Sequence, residues 1–355
     1  MEIKASDVAK LRQMTGAGMM DCKKALVEAE GDFNRAQEII REKGKLVAAK
    51  RSDRETTEGK VVALVNADNT KAIITALGCE TDFVAKNAEF QELANNIANT
   101  ALENFPADLA GLMACSFNGQ TVEDAITQQT GKSGEKHAIP YYASIEAPFI
   151  ASYMHVINGK LAAIVGFNKA VPAEVGKGLA MQVASMNPVA LDAESVPAEV
   201  INNELTVAVE KTKEEIVLKA VEAALKKAGI NPAHVDSEDH IESNMAKGWI
   251  SEEDAAKARE IKATVSAEKT AGLGAEEAKI QNIAKGRLGK FFKENTLLEQ
   301  AYQMGDGKQS VKDFLASVDK DVKASMRFGI SRTSSILEKL MRTFFPSLTG
   351  FTFTK

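Results

Sequence analysis

The sequence predicts an α+β protein: a small three-helix module, a core built twice from a strand pair and a helix, and a long helical hairpin inserted in the second half. Three observations lead there. The first 50 residues carry apolar positions at helical spacing and are punctuated by Gly16, Gly31 and Gly44. Two later segments switch to strand composition, and each is followed by a helical pattern. A third stretch, Ala198 to Ala228, contains neither Gly nor Pro and is rich in Glu, Lys, Ala and Val.

Taken in order, Ser6 is placed to cap a first helix with Val8, Leu11 and Thr15 on one face, stopped by Gly16-Ala17-Gly18. A second helix puts Met19, Cys22, Leu26 and Ala29 on its core face and ends near Gly31. A third starts at Asp32 as cap, buries Phe33, Ala36 and Ile40, and stops at Gly44. The charged run "AAKRSDRETTEGK" has no apolar period and reads as a linker, assigned to residues 51–59. Val61 to Val65 and Ala72 to Leu77 then form a hairpin across Asn66-Ala67-Asp68-Asn69-Thr70, and Asn87 caps a helix carrying Phe90, Leu93, Ile97 and Ala101. The same order recurs further on. Phe149 to Val156 and Lys160 to Phe167 flank Ile157-Asn158-Gly159, a strong hairpin signal, and a helix with Val175, Leu179, Val183 and Met186 follows.

This repetition predicts core subdomains at 60–143 and 144–330, the second interrupted by the helical insertion at about 198–295. The long helix ends at Gly229 with Pro232 beyond, and helices over Ser251 to Ala271 and Ala275 to Asn295 complete the hairpin. Leu205, Val209, Ile216 and Ala220 form its apolar stripe, too irregular for a coiled coil.

The connection "GCETDFVAKN", Gly78 to Asn87, sets an acidic residue beside a bulky aromatic where a polar loop is expected. Loops run over the surface and carry function, which makes Asp82, Phe83 and Val84 a candidate contact. Most large apolar residues are buried, so Phe83 and Val84 packing into the core is an equal alternative. The equivalent loop of the second unit reads Lys169-Ala170-Val171-Pro172-Ala173, so the architecture itself does not require the acidic-aromatic pair.

Composition narrows the function classes. A net charge of −5, from 44 basic and 49 acidic residues, gives no positive field for a phosphate backbone, so direct nucleic-acid binding is not expected. Cys22, Cys79 and Cys115 lie far apart and form neither a C-x-x-C pair nor a disulfide framework. No uncharged apolar run of about 18 residues appears and no signal segment opens the chain, so a cytoplasmic protein without membrane attachment is expected. Enzyme motifs fail one by one. Gly131-Lys132-Ser133 lacks the glycine five positions earlier, where Ile126 stands. Gly16-Ala17-Gly18 follows a helix instead of a strand. His234 and His240 have no matching ligand signature, so no metal site or cofactor is expected, and no catalytic residue is assigned.

Two stretches carry a specific resemblance. "KLRQMTGAGMMDCKKALVEAEGD" (Lys10 to Asp32) and "ETDFVAKNAEF" (Glu80 to Phe90) resemble the bacterial elongation factor Ts family. "SYMHVINGKLAAIVGF" (Ser152 to Phe167) is similar to that family's second-core hairpin. The resemblance implies that residues 1–50 are a ubiquitin-associated-like domain docking on elongation factor Tu, and that the protein is a guanine-nucleotide exchange factor for that GTPase. By position it assigns Arg12, Met19, Met20 and His155 as partner contacts and Thr81, Asp82, Phe83 and Val84 as the motif that dislodges Mg²⁺ from the GTPase. A competing class is a ubiquitin-associated-like adapter without exchange activity, which accounts for the first 50 residues but not for the core loop. The resemblance weakens over Val217 to Gly274, which is longer than usual, and at "GEKHAIPYY". It stops after Phe328. In the tail, 331–355, Ile336, Leu337, Leu340 and Met341 line one side of a short amphipathic helix, followed by Phe344, Phe345, Phe351 and Phe353. That tail is expected to dock partly on the protein and to be dispensable for exchange.

Overall fold

The computed structural model describes residues 3–155 and 159–325. The helix expected in the tail, its four phenylalanines, the expected docking of 331–355 and residues Val156, Ile157 and Asn158 lie outside the described residues. Two compact units emerge, one from the chain up to Leu191 together with the chain from Gln300, the other from Asp192–Glu299.

The first unit opens with α1 (Ala5–Thr15), α2 (Met19–Glu28) and α3 (Phe33–Lys50). Val8, Leu11, Cys22, Ala25, Leu26 and Ala36 make their shared core. Gly16 adopts φ 66° and returns its N–H to the Arg12 carbonyl at 2.7 Å, a left-handed stop that glycine accepts without strain. Asp32 caps α3 by accepting from the N–H groups of Asn34 and Arg35. Two expectations fail here. Lys4 occupies the N-cap of α1 without a side-chain bond, so Ser6 lies inside the helix and caps nothing. Met19 is 55% exposed, not on the core face, because Ala25 joins Cys22 and Leu26 in the core and turns the buried arc of α2 away from it.

Next come β1 (Glu58–Val65), β2 (Lys71–Cys79), the single turn α4 (Asp82–Ala85), α5 (Ala88–Asn104) and α6 (Leu109–Ala114). A two-residue ribbon, β3 (Ser116–Phe117) and β4 (Gln120–Thr121), leads to α7 (Val122–Ser133) and β5 (Ala138–Glu146). The predicted hairpin is present, with Val61 opposite Ala76 and Val65 opposite Ala72. Strand β2 is central in the order β1-β2-β5 and buried on both faces. Ile73, Leu77 and Cys79 pack under α5 with Phe90, Ala94 and Ile97, while Ala72, Ile74 and Ala76 join a second core with Ile150 and Ile164. Side chains alternating at period 2 serve two cores from one strand.

Strand β5 has no counterpart in the elements expected from sequence, and it contains Pro140, which brings no backbone donor. The fold accommodates it: β5 is an edge strand, and its register with β2 shifts between Ala76 and Gly78, opposite the proline.

Helix α3 does not stop at Gly44 but runs on to Lys50. The glycine serves packing. Gly44 is buried against α7, where a Cβ on Gly131 would lie 2.6 Å from the Gly44 Cα. Gly131→Ala is therefore expected to force α3 and α7 apart and to destabilise the chain by about 1–3 kcal/mol. Urea unfolding measures it; an unchanged midpoint would show that the two helices part freely. The Gly131-Lys132-Ser133 run thus belongs to helix packing, with Lys132 paired to Glu89.

The remainder of this unit is β6 (Phe149–Met154), β7 (Ala162–Phe167), α8 (Ala173–Met186), α13 (Val311–Val318) and β8 (Ala324–Ser325). Its sheet runs β6-β7-β8. Val175, Leu179 and Val183 are buried as expected, whereas Met186 at the end of α8 is exposed. Buried Gln182 of α8 holds the returning chain: its amide nitrogen donates to the Ala301 carbonyl at 3.1 Å and its oxygen accepts from Gln303 N–H at 2.9 Å.

The second unit contains α9 (Ala198–Lys227), α10 (Glu238–Ala246), α11 (Glu252–Gly272) and α12 (Glu277–Asn295). It is more than the expected hairpin, since α9 packs against both α11 and α12, and α10 adds a cap of its own through Ser237. The predicted stripe of Leu205, Val209, Ile216 and Ala220 is only half-buried, and Val200, Ala208, Thr212, Val221 and Leu225 are the buried positions. Two flanking helices draw on more of the surface of α9 than one stripe supplies.

Candidate functional site

The loop after β2 begins at a strand end that is itself held. Cys79 is buried, and burial pushes its thiol up to about 12. Thr81 caps α4, accepting from Val84 N–H, and Ala85 is buried beneath the turn. A one-turn helix places successive side chains about 100° apart, so neighbours meet different surroundings. The core alternative considered for this loop therefore holds for Val84 and not for Phe83. Val84 is half-buried against the core under α5, while the Phe83 ring is 83% exposed. Asp82 is partly exposed and accepts from Lys86 Nζ at 2.6 Å, which holds its carboxyl below the ordinary range.

Two carboxylates strap this loop to the chain before β5. Glu135 accepts from Glu80 N–H at 3.1 Å, from Thr81 N–H at 3.0 Å and from the Thr81 hydroxyl at 2.6 Å. Glu80 in return accepts from Lys136 N–H at 2.7 Å and from the Arg51 guanidinium at 2.8 Å. Thr57 Oγ1 donates to the Glu80 carbonyl at 3.1 Å, and Lys136 Nζ reaches the carbonyls of Ser52 and Arg54. The expected linker is thereby tied to the loop. Its charges look like solvated surface in the sequence, and their partners lie too far along the chain for any local pattern to reveal.

Burial pushes the Glu80 carboxyl up, and the Lys136 N–H and Arg51 outweigh it, so the group sits below its ordinary value. A carboxylate lowered in the folded state contributes stability that is complete above its unfolded pKa of about 4.3 and is lost as pH falls through the folded value. Between about pH 6 and about pH 3 the native chain is expected to lose more unfolding free energy than Glu80→Gln. Parallel stability curves for the two proteins would contradict the strap's charge.

The other predicted contacts lie on separate elements. Arg12 is exposed on α1, and Met20, 64% exposed, follows Met19 at the start of α2, with Met14 exposed nearby in sequence. His155 follows β6, half-buried, with its Nδ1 2.9 Å from the Tyr153 hydroxyl and its N–H on the Leu161 carbonyl. The equivalent loop of the second sheet presents no aromatic: Val171 is buried and Lys169 pairs with Asp319. Among the described residues no cluster of His, Cys, Asp and Glu is arranged to hold a metal ion, and no helix is long and apolar enough to cross a membrane.

Sequence reasoning missed Glu80, Glu135, Arg51 and Lys136. The one available signal was "GEK" immediately before a β-rich run, since acidic and basic residues at a strand entrance can bond neighbouring backbone.

Comparison with known proteins shows the family. The family model described as "Elongation factor TS" matches residues 80–332. Relatives named "Elongation factor Ts" include one from Bacteroides thetaiotaomicron, 54% identical over 91% of this chain and 96% of its own length. Another, from Christiangramia forsetii, is 42% identical over 90% of this chain and 94% of its own. A third, from Flavobacterium psychrophilum, is 39% identical over 90% and 95%. The exposed-aromatic loop opens the matched region, and the chain belongs to the elongation factor Ts family.

Proposed function

We propose that the nucleotide-exchange role in translation elongation that membership of this family carries is exercised on elongation factor Tu through Thr81-Asp82-Phe83-Val84. The observation that supports it is the Phe83 ring, 83% exposed on a turn whose neighbours Val84 and Ala85 anchor it to the core. An apolar side chain held out on a fixed turn is suited to enter a partner's surface. In GTPases the metal ion bridges phosphate oxygens and P-loop hydroxyls. A wedge at Phe83 displaces the elements that carry those groups and loosens Mg²⁺ and nucleotide together, with no covalent step by this chain.

Energies limit what one ring does. Accelerating release by roughly 10⁴ means lowering the barrier by about 5.5 kcal/mol, and burying one Phe supplies about 1.5–3 kcal/mol. The remaining contacts supply the rest. In this reading residues 1–50 act as a ubiquitin-associated-like docking module through Arg12, Met19 and Met20. The two strand-pair-and-helix cores, the second through His155, grip the nucleotide-binding and third domains of the GTPase in the cytoplasm. Linkage then requires that GDP weaken binding of this protein by the factor by which this protein weakens GDP. An adapter built on the helical module alone leaves the family match over 80–332 unaccounted for.

The test is release of labelled GDP from elongation factor Tu with and without this protein. Acceleration at substoichiometric concentration supports the proposal, and an unchanged release rate removes it.

A further inference from the structure

We propose that Glu135 is a positioning residue for exchange: its carboxylate fixes the backbone of Glu80 and Thr81 so that the α4 turn presents Phe83 to the partner in one orientation. This rests on the reading of Thr81–Val84 as the exchange element and adds the device that sets its geometry. A loop carrying an exposed aromatic has no reason of its own to keep that ring outward, since collapse onto the core would bury apolar surface. Something must hold the backbone against it.

Glu135 is built for that. One of its oxygens accepts both the Glu80 and Thr81 N–H groups, and the other accepts the Thr81 hydroxyl. Charge-assisted bonds of this kind are the stronger class. The Thr81 hydroxyl, by donating to Glu135, keeps its lone pairs free to accept Val84 N–H and start α4. Glu135 is itself fixed. Its N–H donates to Ser133 Oγ at 3.1 Å, and its carbonyl lies 2.9 Å from Nδ1 of buried His137. The strap is reciprocal, because Glu80 holds Lys136 N–H in turn. Shifting either segment therefore breaks bonds in both directions.

The measurement is GDP release from elongation factor Tu against concentration of full-length Glu135→Ala, Glu135→Gln and Phe83→Ala. Glu135→Ala is expected to lower the maximal rate about tenfold, equal to about 1.36 kcal/mol, with the half-saturating concentration changed less than about threefold. Glu135→Gln keeps an oxygen for the two N–H groups and an amide that can donate to the Thr81 hydroxyl, so most of the rate is expected to return. Hydrogen exchange at the amides of 80–85 is expected to quicken in Glu135→Ala and not in Glu135→Gln. A native maximal rate for Glu135→Ala, or a loss that merely tracks its unfolded fraction, overturns the inference. Should Phe83→Ala also exchange at the native rate, the reading of the loop itself has failed.

Discussion

Phe83→Ala is expected to slow exchange by about 30-fold, the kinetic equivalent of about 2 kcal/mol of lost partner contact, while the folded protein loses almost nothing. The ring is 83% exposed, so its deletion removes little buried area. Surface changes of that kind stay within about 0.5 kcal/mol of the parent. The turn beneath it survives, since Thr81 keeps its cap and Ala85 its burial. Measuring GDP release alongside urea unfolding separates the two effects. A loss of about 3 kcal/mol in stability with normal exchange by the folded fraction would mean that the ring packs inside in solution.

Phe90→Ala should give the opposite phenotype. Seven residues on, this second phenylalanine is fully buried on the inner face of α5, in one cluster with Leu77, Ile97 and Ile139 and 5.6 Å from the His137 ring. Truncation leaves a cavity in a close-packed interior and is expected to cost about 3–5 kcal/mol. Against a total stability of about 5–15 kcal/mol that brings the chain near its unfolding threshold. The denaturation midpoint should fall with an unchanged slope, and the fraction still folded should exchange nucleotide far better than Phe83→Ala does. A midpoint within error of the parent would place Phe90 outside the core.

Several elements are legible in the residue order by itself. Asn87 with Phe90 and Ile97 announces α5 because a side-chain cap and a 3.6-residue period are both local properties. The β1–β2 hairpin and the length of α9, ended at Gly229, are legible for the same reason. The family-specific stretches around Lys10 and Glu80 likewise point to elongation factor Ts without any tertiary contact being known.

What the sequence could not decide were matters in which the deciding atom comes from far along the chain. Gly44 carries every local mark of a helix stop, yet Gly131 makes it a packing site 87 residues away in sequence. Strand β5 goes unannounced in the sequence, and only its edge position and register shift show how a strand accommodates Pro140. Periodicity places Met19 inward, and the packing of α2 through Ala25 turns it out. Residues 83 and 84 are equally apolar by composition, and only the orientation of α4, held by Glu135 from a separate segment, sends Val84 inward and Phe83 to solvent. Caps and periods follow from each residue and its near neighbours, so sequence determined the elements. Which face is covered depends on the partners that tertiary contacts bring to it, so only the fold determined the site.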